Sequence, residues 1–563
     1  MEFARFGIVP KTPPPQHLYK YQPFNAQTLT NLQRASIWFS APINVNDPYD
    51  CAGWVIEPEK MTEAQFQQWL KTRYGTLGNL NSRWTTAYWS ETIFNWDQIP
   101  IQTRPGNPGL LLSWKRFVSD TWRSYQKNQL DVIRANSDPK QFITTNTMGW
   151  FDGFDHYVVE QDLDLAAWDD YVGQGHLDAA KNGAAHDLTR GFKRKNFWVM
   201  ETQPGWVNWA PINNSLEKGE MRAMAWHAIG HGADTVSYWQ WRSALNGQEQ
   251  YHGTIIGADG MPVPLYSEVQ QIGQEFAKAG PVLAGTSVKS EVAILHSYDS
   301  RWAINWQRHN RNCDPVDEIV SYYRPLRAIS QSIDVISPTS PLSQYKLVVA
   351  PGLNVLSEAA AKNLIEYVRQ GGHLVLGQRS AMKDENNGLQ PQRQPGPLTD
   401  LLGGRVEQYY ALVDPVPVEG KFGTGQGKLW AELLSVKDGD TEVLETYGKS
   451  NGWLDGKPAA ITRKADTGRI TYIGAWLDDS AMTAAAKWMT DVSGVKPALG
   501  AVPEGIEVYP RYGQHGAVYI LVNLSKMEQS VALPRAMNDV LQGGLRQSIT
   551  LPVYGVAVLS SVK

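Results

Sequence analysis

Cysteine is almost missing from this chain of 563 residues, with Cys51 and Cys313 the only two. A disulfide framework or a cysteine-built zinc site needs more thiols at closer spacing, so both are excluded, and the scattered histidines offer no metal site instead. Neither a metal nor a cofactor is expected. Long apolar runs are missing too: no stretch of eighteen residues is apolar throughout, so no membrane span and no membrane partner are expected. Residues 1–15 lack the charged-then-apolar order of a secretory signal, which leaves a cytoplasmic protein as the expectation. Charge of one sign is also lacking, because 52 Lys and Arg against 56 Asp and Glu leave a net charge of −4. The longest cationic cluster, Lys193-Arg194-Lys195, reads as a solvated loop, and without a basic stripe nucleic acid is excluded as a partner.

Aromatic residues are abundant: 22 Trp and 24 Tyr, crowded before residue 250. Their flat faces stack on the C–H faces of sugars while a polar edge hydrogen-bonds; burial in large cores is the competing explanation, and composition does not choose between them. The length exceeds what one hydrophobic core organises, and three domains are expected. From about Glu63 to Gly280 helical patterns alternate with short apolar runs at 142–146, 197–201 and 235–239, the pattern of strands wound with helices. In a parallel barrel the ends of such strands form the catalytic face, which would gather Asn146, Glu201 and the segment from Trp239 to Arg242 in one bowl. A second alternation, with strands at 292–296, 346–351 and 373–377 and a helix at 359–370, predicts a doubly wound α/β domain. Apolar–polar alternation at 506–509, 517–522 and 553–558 predicts a small antiparallel β domain. The expected limits are 61–285 for the barrel portion, 286–497 for the middle domain and 498–563 for the last. Residues 1–60, rich in Pro, Gln and Asn, form an atypical and irregular segment before them.

Glycoside hydrolysis needs a carboxylate at a strand end where it can reach the anomeric carbon. Glu201 is so placed, in Phe197-Trp198-Val199-Met200-Glu201-Thr202-Gln203-Pro204-Gly205 followed by Val207-Asn208-Trp209. This segment resembles the nucleophile motif of glycoside hydrolase family 42, the bacterial β-galactosidases. The resemblance runs in order through Phe66 to Leu77, Asn81 to Ser90, Thr145 to Gly149, Asp162, Asp164, Trp168-Asp169-Asp170-Tyr171, Ala228 to Asp234 and Gln248 to Gly253. It implies a (β/α)8 TIM barrel and a retaining β-galactosidase in which Glu201 forms a covalent galactosyl-enzyme. Trp209, Glu249 and His252 match positions that hold the galactose in the family; a loop cap for His252 and an ion pair with Arg242 for Glu249 are the competing roles. Asn146, by position, is a candidate for binding a ligand or the nucleophile. The middle domain resembles the family's trimerisation domain, related in fold to class I glutamine amidotransferases, which implies a homotrimer. It is not expected to be an amidase, because the strand exits into Gly377-Gln378-Arg379-Ser380 without a nucleophilic cysteine.

One family feature is lacking. The general acid/base is expected as an Asn-Glu pair a short way upstream of Phe66, and no such pair occurs. Glu57, in Trp54-Val55-Ile56-Glu57, is the nearest imitation. The abrupt start of the resemblance after about Met61 gives the expectation of a truncated or altered amino-terminal part of the barrel, lacking several strands. A catalytically impaired sugar-binding or assembly protein is therefore the alternative to an active β-galactosidase.

Overall fold

The computed structural model describes residues 59–101, 106–514 and 516–561. Glu57 and the atypical segment up to residue 58 lie outside the described residues. The chain divides into two compact units, one containing residues up to Gln141 with Gly153–Asp162, the other Phe142–Asp152 with the chain from Leu163 onward.

The first unit is helical. Thr76 accepts a hydrogen bond from the backbone of Asn79 to start helix Leu77–Trp84. Asn107 caps Pro108–Asn136, whose first residue is a proline with no N–H to satisfy. Phe66, Leu70, Leu80, Trp84, Ile99, Leu110 and Phe117 close its core.

In the second unit four parallel strands, β1 (Asn146–Met148), β2 (Ala167–Asp170), β3 (Phe197–Thr202) and β4 (Ala233–Tyr238), lie side by side in chain order. Helices Ala179–Lys193, Glu220–Gly230 and Tyr266–Leu283 follow the last three, the repeating unit of a (β/α) barrel. The expected strand at 142–146 is displaced: pairing with β2 starts only at Asn146. Ahead of it the Ile143 amide donates to the Asp164 carboxylate and the Thr144 hydroxyl to the Leu165 carbonyl, so side chains share the pairing there with a single backbone bond, from Asp164 to the Ile143 carbonyl.

The middle sheet has β5 (Val292–Leu295) between β6 (Asp334–Ile336) and β7 (Leu347–Ala350), with β8 (His373–Leu376) beyond β7 and Gly468–Ile473 parallel to β8. Every residue of β5, β7 and β8 is buried, which explains their unbroken apolar runs. The expected doubly wound sheet is only half of what forms. It continues as an antiparallel extension through Pro458–Ala465, Glu442–Tyr447, Val416–Gly420 and Gly423–Val436. Those strands carry Gly, Lys and Gln at exposed positions, which hides them from a search for apolar runs. Past β8, Arg379 donates to the carbonyls of Gln307 and Arg308 and lies 4.5 Å from the Trp430 ring centre. Cys313 is buried with Trp430 and Trp476, and burial pushes its thiol up to about 11.

The last sheet is antiparallel, five strands from Ile506–Gly513 to Val556–Ser561. Tyr509, Val518, Ile520 and Val558 share a core with Phe197, Val199, Ala223 and Trp226 of the barrel portion. Gly230 makes this approach possible, since a β-carbon there would stand 2.3 Å from the Tyr509 ring. Its expected final strand at 553–558 begins later, because Tyr554 takes a left-handed turn at φ 57.

Glu318 in helix Pro315–Ser330 is fully buried, and burial lifts its carboxyl to about 8 against the opposing charge of Arg379. A carboxyl whose folded pKa is raised stabilises the fold below its unfolded pKa and loses that contribution as pH rises toward the folded value. The native protein should therefore lose up to about 1.4 kcal/mol per pH unit through this group between pH 5 and pH 8. Glu318→Gln, which keeps the neutral shape, should become progressively more stable than the parent over that range in denaturant unfolding at each pH. Parallel stability curves for the two proteins would contradict the assignment.

Candidate active site

Asp169 and Glu201 lie near the carboxyl ends of β2 and β3, and Asn146, the first residue of β1, reaches Asp169 with its side chain. The β2–β3 register sets this geometry. Trp168 pairs with Val199, but Asp169 pairs with Glu201, so the ladder slips by one residue at Met200. Such a bulge re-aims the next side chain, and here it sets a second carboxyl beside Glu201.

Burial, then the Glu201 charge, push Asp169 up to about 7, while the Asn146 amide, donating to its Oδ2 at 2.7 Å, acts the other way. Asp169 Oδ1 is buried without a hydrogen-bond partner among the described residues. Asn146 thus binds the neighbour of Glu201. Tyr171, just beyond β2, donates its hydroxyl to Glu201 Oε2 at 3.0 Å. Its own pKa is raised, first by burial and then by Glu201, Asp169 and Glu249. It stays a donor throughout the neutral range.

Around Tyr171 the aromatic wall assembles. Its ring meets Trp209 edge-on at 5.7 Å and His252 at 5.9 Å between centroids. Trp209 remains 44% exposed, leaving much of the indole uncovered for an apolar partner. His252 is buried; its Nδ1 lies 3.1 Å from the Gly253 carbonyl, to which it must donate. With the proton on Nδ1, Nε2 is an acceptor, and it has no partner among the described residues. Glu249 accepts from the Trp239 indole N–H at 2.9 Å, whereas Arg242 donates to the Ala258 carbonyl, so the expected alternative of an Arg242–Glu249 pair does not form.

The loops are tied to one another. Gln203 accepts from the backbone of Val172 and Gly173 and donates to the Gly205 carbonyl. Trp206 donates to the Tyr251 carbonyl and Asn208 to that of Gln248, at 2.8 Å each. Asn208 Oδ1 is buried and has no partner among the described residues, a second acceptor on the same rim.

All five described residues named from the sequence, Asn146, Glu201, Trp209, Glu249 and His252, thus lie around Asp169 and Tyr171. Those two and Asn208 are not among the site residues named from the sequence, whereas Trp239 opens the segment expected in the bowl. Two carboxyls and a phenol at a strand end, Asp169-Asp170-Tyr171, are the signal that marks them. Among the described residues no group of three or more His, Cys, Asp or Glu is placed to hold a metal ion.

Comparison with known proteins agrees with this geometry. Residues 42–279 match the glycoside hydrolase family 42 description, β-galactosidase, and residues 290–495 match its β-galactosidase trimerisation domain. The first match begins upstream of the motif at Phe66. A β-galactosidase of Halorubrum lacusprofundi is 36% identical over 88% of this chain and 75% of its own length. One from Alicyclobacillus acidocaldarius is 30% identical over 90% and 77%. The crystal structure of a β-galactosidase from Bacillus circulans sp. alkalophilus superposes with a TM-score of 0.85 at 28% identity, covering 89% of this chain and 76% of that one. These similarities assign the four parallel strands to a TIM barrel followed by a trimerisation domain, and they lend nothing to the alternative of an impaired protein. The chain belongs to the glycoside hydrolase family 42 β-galactosidases.

Proposed function

We propose that the chain hydrolyses terminal non-reducing β-D-galactosyl residues with retention of configuration, Glu201 acting as nucleophile. The observation that carries this reading is a carboxylate at a strand end, oriented by a phenolic donor and faced by an open indole. Glu201 attacks the anomeric carbon while the leaving oxygen takes a proton; water then cleaves the galactosyl ester, deprotonated by the group that gave the proton. Trp209 walls the sugar ring, Glu249 accepts hydroxyls, and His252 Nε2 and Asn208 Oδ1 supply further acceptors. Asn146 acts through Asp169, holding it against Glu201. The proton donor offered by the sequence is Glu57; a retaining mechanism requires such a donor about 5–5.5 Å from its nucleophile.

The domain limits at 61–285, 286–497 and 498–563 are part of the same reading, as is a homotrimer built through the middle domain. A cytoplasmic location is part of the same reading. No helix among the described residues is long and apolar enough to cross a membrane.

Lactose and a dinitrophenyl β-galactoside separate the two catalytic roles, because the second leaving group departs without protonation. Both should be hydrolysed, and Glu201→Gln should lower kcat/KM by roughly 10³-fold or more on each. Cleavage of the dinitrophenyl substrate alone would show a nucleophile without its acid; an undiminished Glu201→Gln protein would overturn the assignment.

Asp169 makes a second prediction. A carboxyl held at about 7 is neutral beside Glu201 in mild acid and ionised above that pH. The pH profile of kcat/KM for the dinitrophenyl substrate should bend near pH 7, and Asp169→Asn should remove that bend. A profile unchanged in shape and merely scaled down would show that Asp169 only supports the fold.

A further inference from the structure

At the opposite end of β3 from Glu201 a cavity of about 440 Å³ opens, lined by the end of helix Ala179–Lys193, the residues just before β3, the segment 287–290 and β6. Its size lies within the range of about 300–1,000 Å³ usual for small-molecule sites. Arg194, Lys195 and Lys289 contribute three positive charges to its lining. The sequence treats Lys193-Arg194-Lys195 as a solvated loop, whereas folding brings two of its members together with a lysine from a distant part of the chain.

The carboxylates nearby are already engaged. Asp334, the acid of the lining, accepts from Arg190 at 2.8 Å, from Tyr345 at 2.7 Å and from Ser290 at 3.2 Å. Arg190 is further held by Asp187 and the carbonyls of His231 and Ile333. Asp234 is bound by Arg511 and Asn196, and Glu291 by Lys346. Arg194 donates to Gln344, and neither Lys195 nor Lys289 has a side-chain partner among the described residues.

Three cations around one cavity, with no carboxylate free to compensate them among the described residues that line it, favour an anion. The Ser287 hydroxyl adds a donor of the kind that completes a phosphate shell. The space exceeds what inorganic phosphate fills, and Val288 with Ile336 gives it an apolar wall. We propose that this cavity binds a small phosphate-bearing metabolite at a site separate from the galactoside site. Because its walls come from both the barrel portion and the middle domain, the ligand joins the two and stabilises the folded chain by mass action.

The full-length protein should be titrated calorimetrically with glucose 6-phosphate and with inorganic pyrophosphate, with glucose and with sodium chloride at matched ionic strength as controls. At least one phosphate compound should bind saturably and raise Tm, and neither control should. Lys195→Gln/Lys289→Gln should weaken that binding by about tenfold or more. Both lysines are exposed, so this variant should keep the parent's unliganded Tm and its rate on the dinitrophenyl galactoside. Absence of saturable binding by both phosphate compounds would overturn the proposal, as would equal affinity in the double variant.

Discussion

Two carboxyl groups facing each other across adjacent parallel strands impose the constraint around which the site is organised. Glu201 has to be ionised to attack, and a second full charge beside it in a half-buried setting would oppose that. The resolution is visible in the hydrogen bonds. Tyr171 donates to Glu201, while Asp169 sits at about 7 with Asn146 donating to one of its oxygens. The pair therefore carries close to one charge in mild acid and approaches two only above neutrality. Tyr171 also anchors the sugar wall, because its ring touches both Trp209 and His252. Nucleophile orientation and substrate walls thus share one side chain.

That arrangement is held from behind by a buried polar layer. Asp187 takes bonds from Tyr323 and Arg190 and faces His231 Nδ1 at 2.8 Å, joining the barrel helix Ala179–Lys193 to helix Pro315–Ser330 of the middle domain. Arg511 of the last sheet reaches the carbonyls of Ile229, Ala233 and Thr286. Burial holds His186, His227 and His231 well below the usual histidine range, so they pack as neutral rings. Gly191, where a β-carbon would collide with the Val335 carbonyl, lets the barrel helix approach β6. The strand ends bearing Asp169 and Glu201 thus stand on a scaffold contributed by all three sheets.

Legibility in the sequence followed burial. β5, β7 and β8 are apolar runs because both faces are covered, and their positions read directly from those runs. β1 is misplaced because the side chains of Thr144 and Asp164 take over the hydrogen bonds of an apolar-looking stretch. The antiparallel extension of the middle sheet is missed because polar residues and glycines interrupt its apolar positions, as at Gly423, Gln426 and Lys464. Glu201 stands out as a carboxylate after a strand. Trp209, Glu249 and His252 come instead from family resemblance, since loops distant in sequence converge only once the strands are aligned. Asp169 and Tyr171 lie in plain view in one motif, yet their relation to Glu201 depends on a bulge at Met200 that no residue spacing announces.

The central claim is that Glu201 becomes covalently galactosylated. The most direct measurement is to incubate the protein with a 2-deoxy-2-fluoro β-galactoside bearing a dinitrophenyl leaving group, then weigh the intact chain and map its peptides. The account predicts one fluorogalactosyl group per chain, esterified to Glu201 and lost on transfer to an added acceptor sugar. No covalent adduct, or an adduct on Asp169 or Glu249, would contradict it.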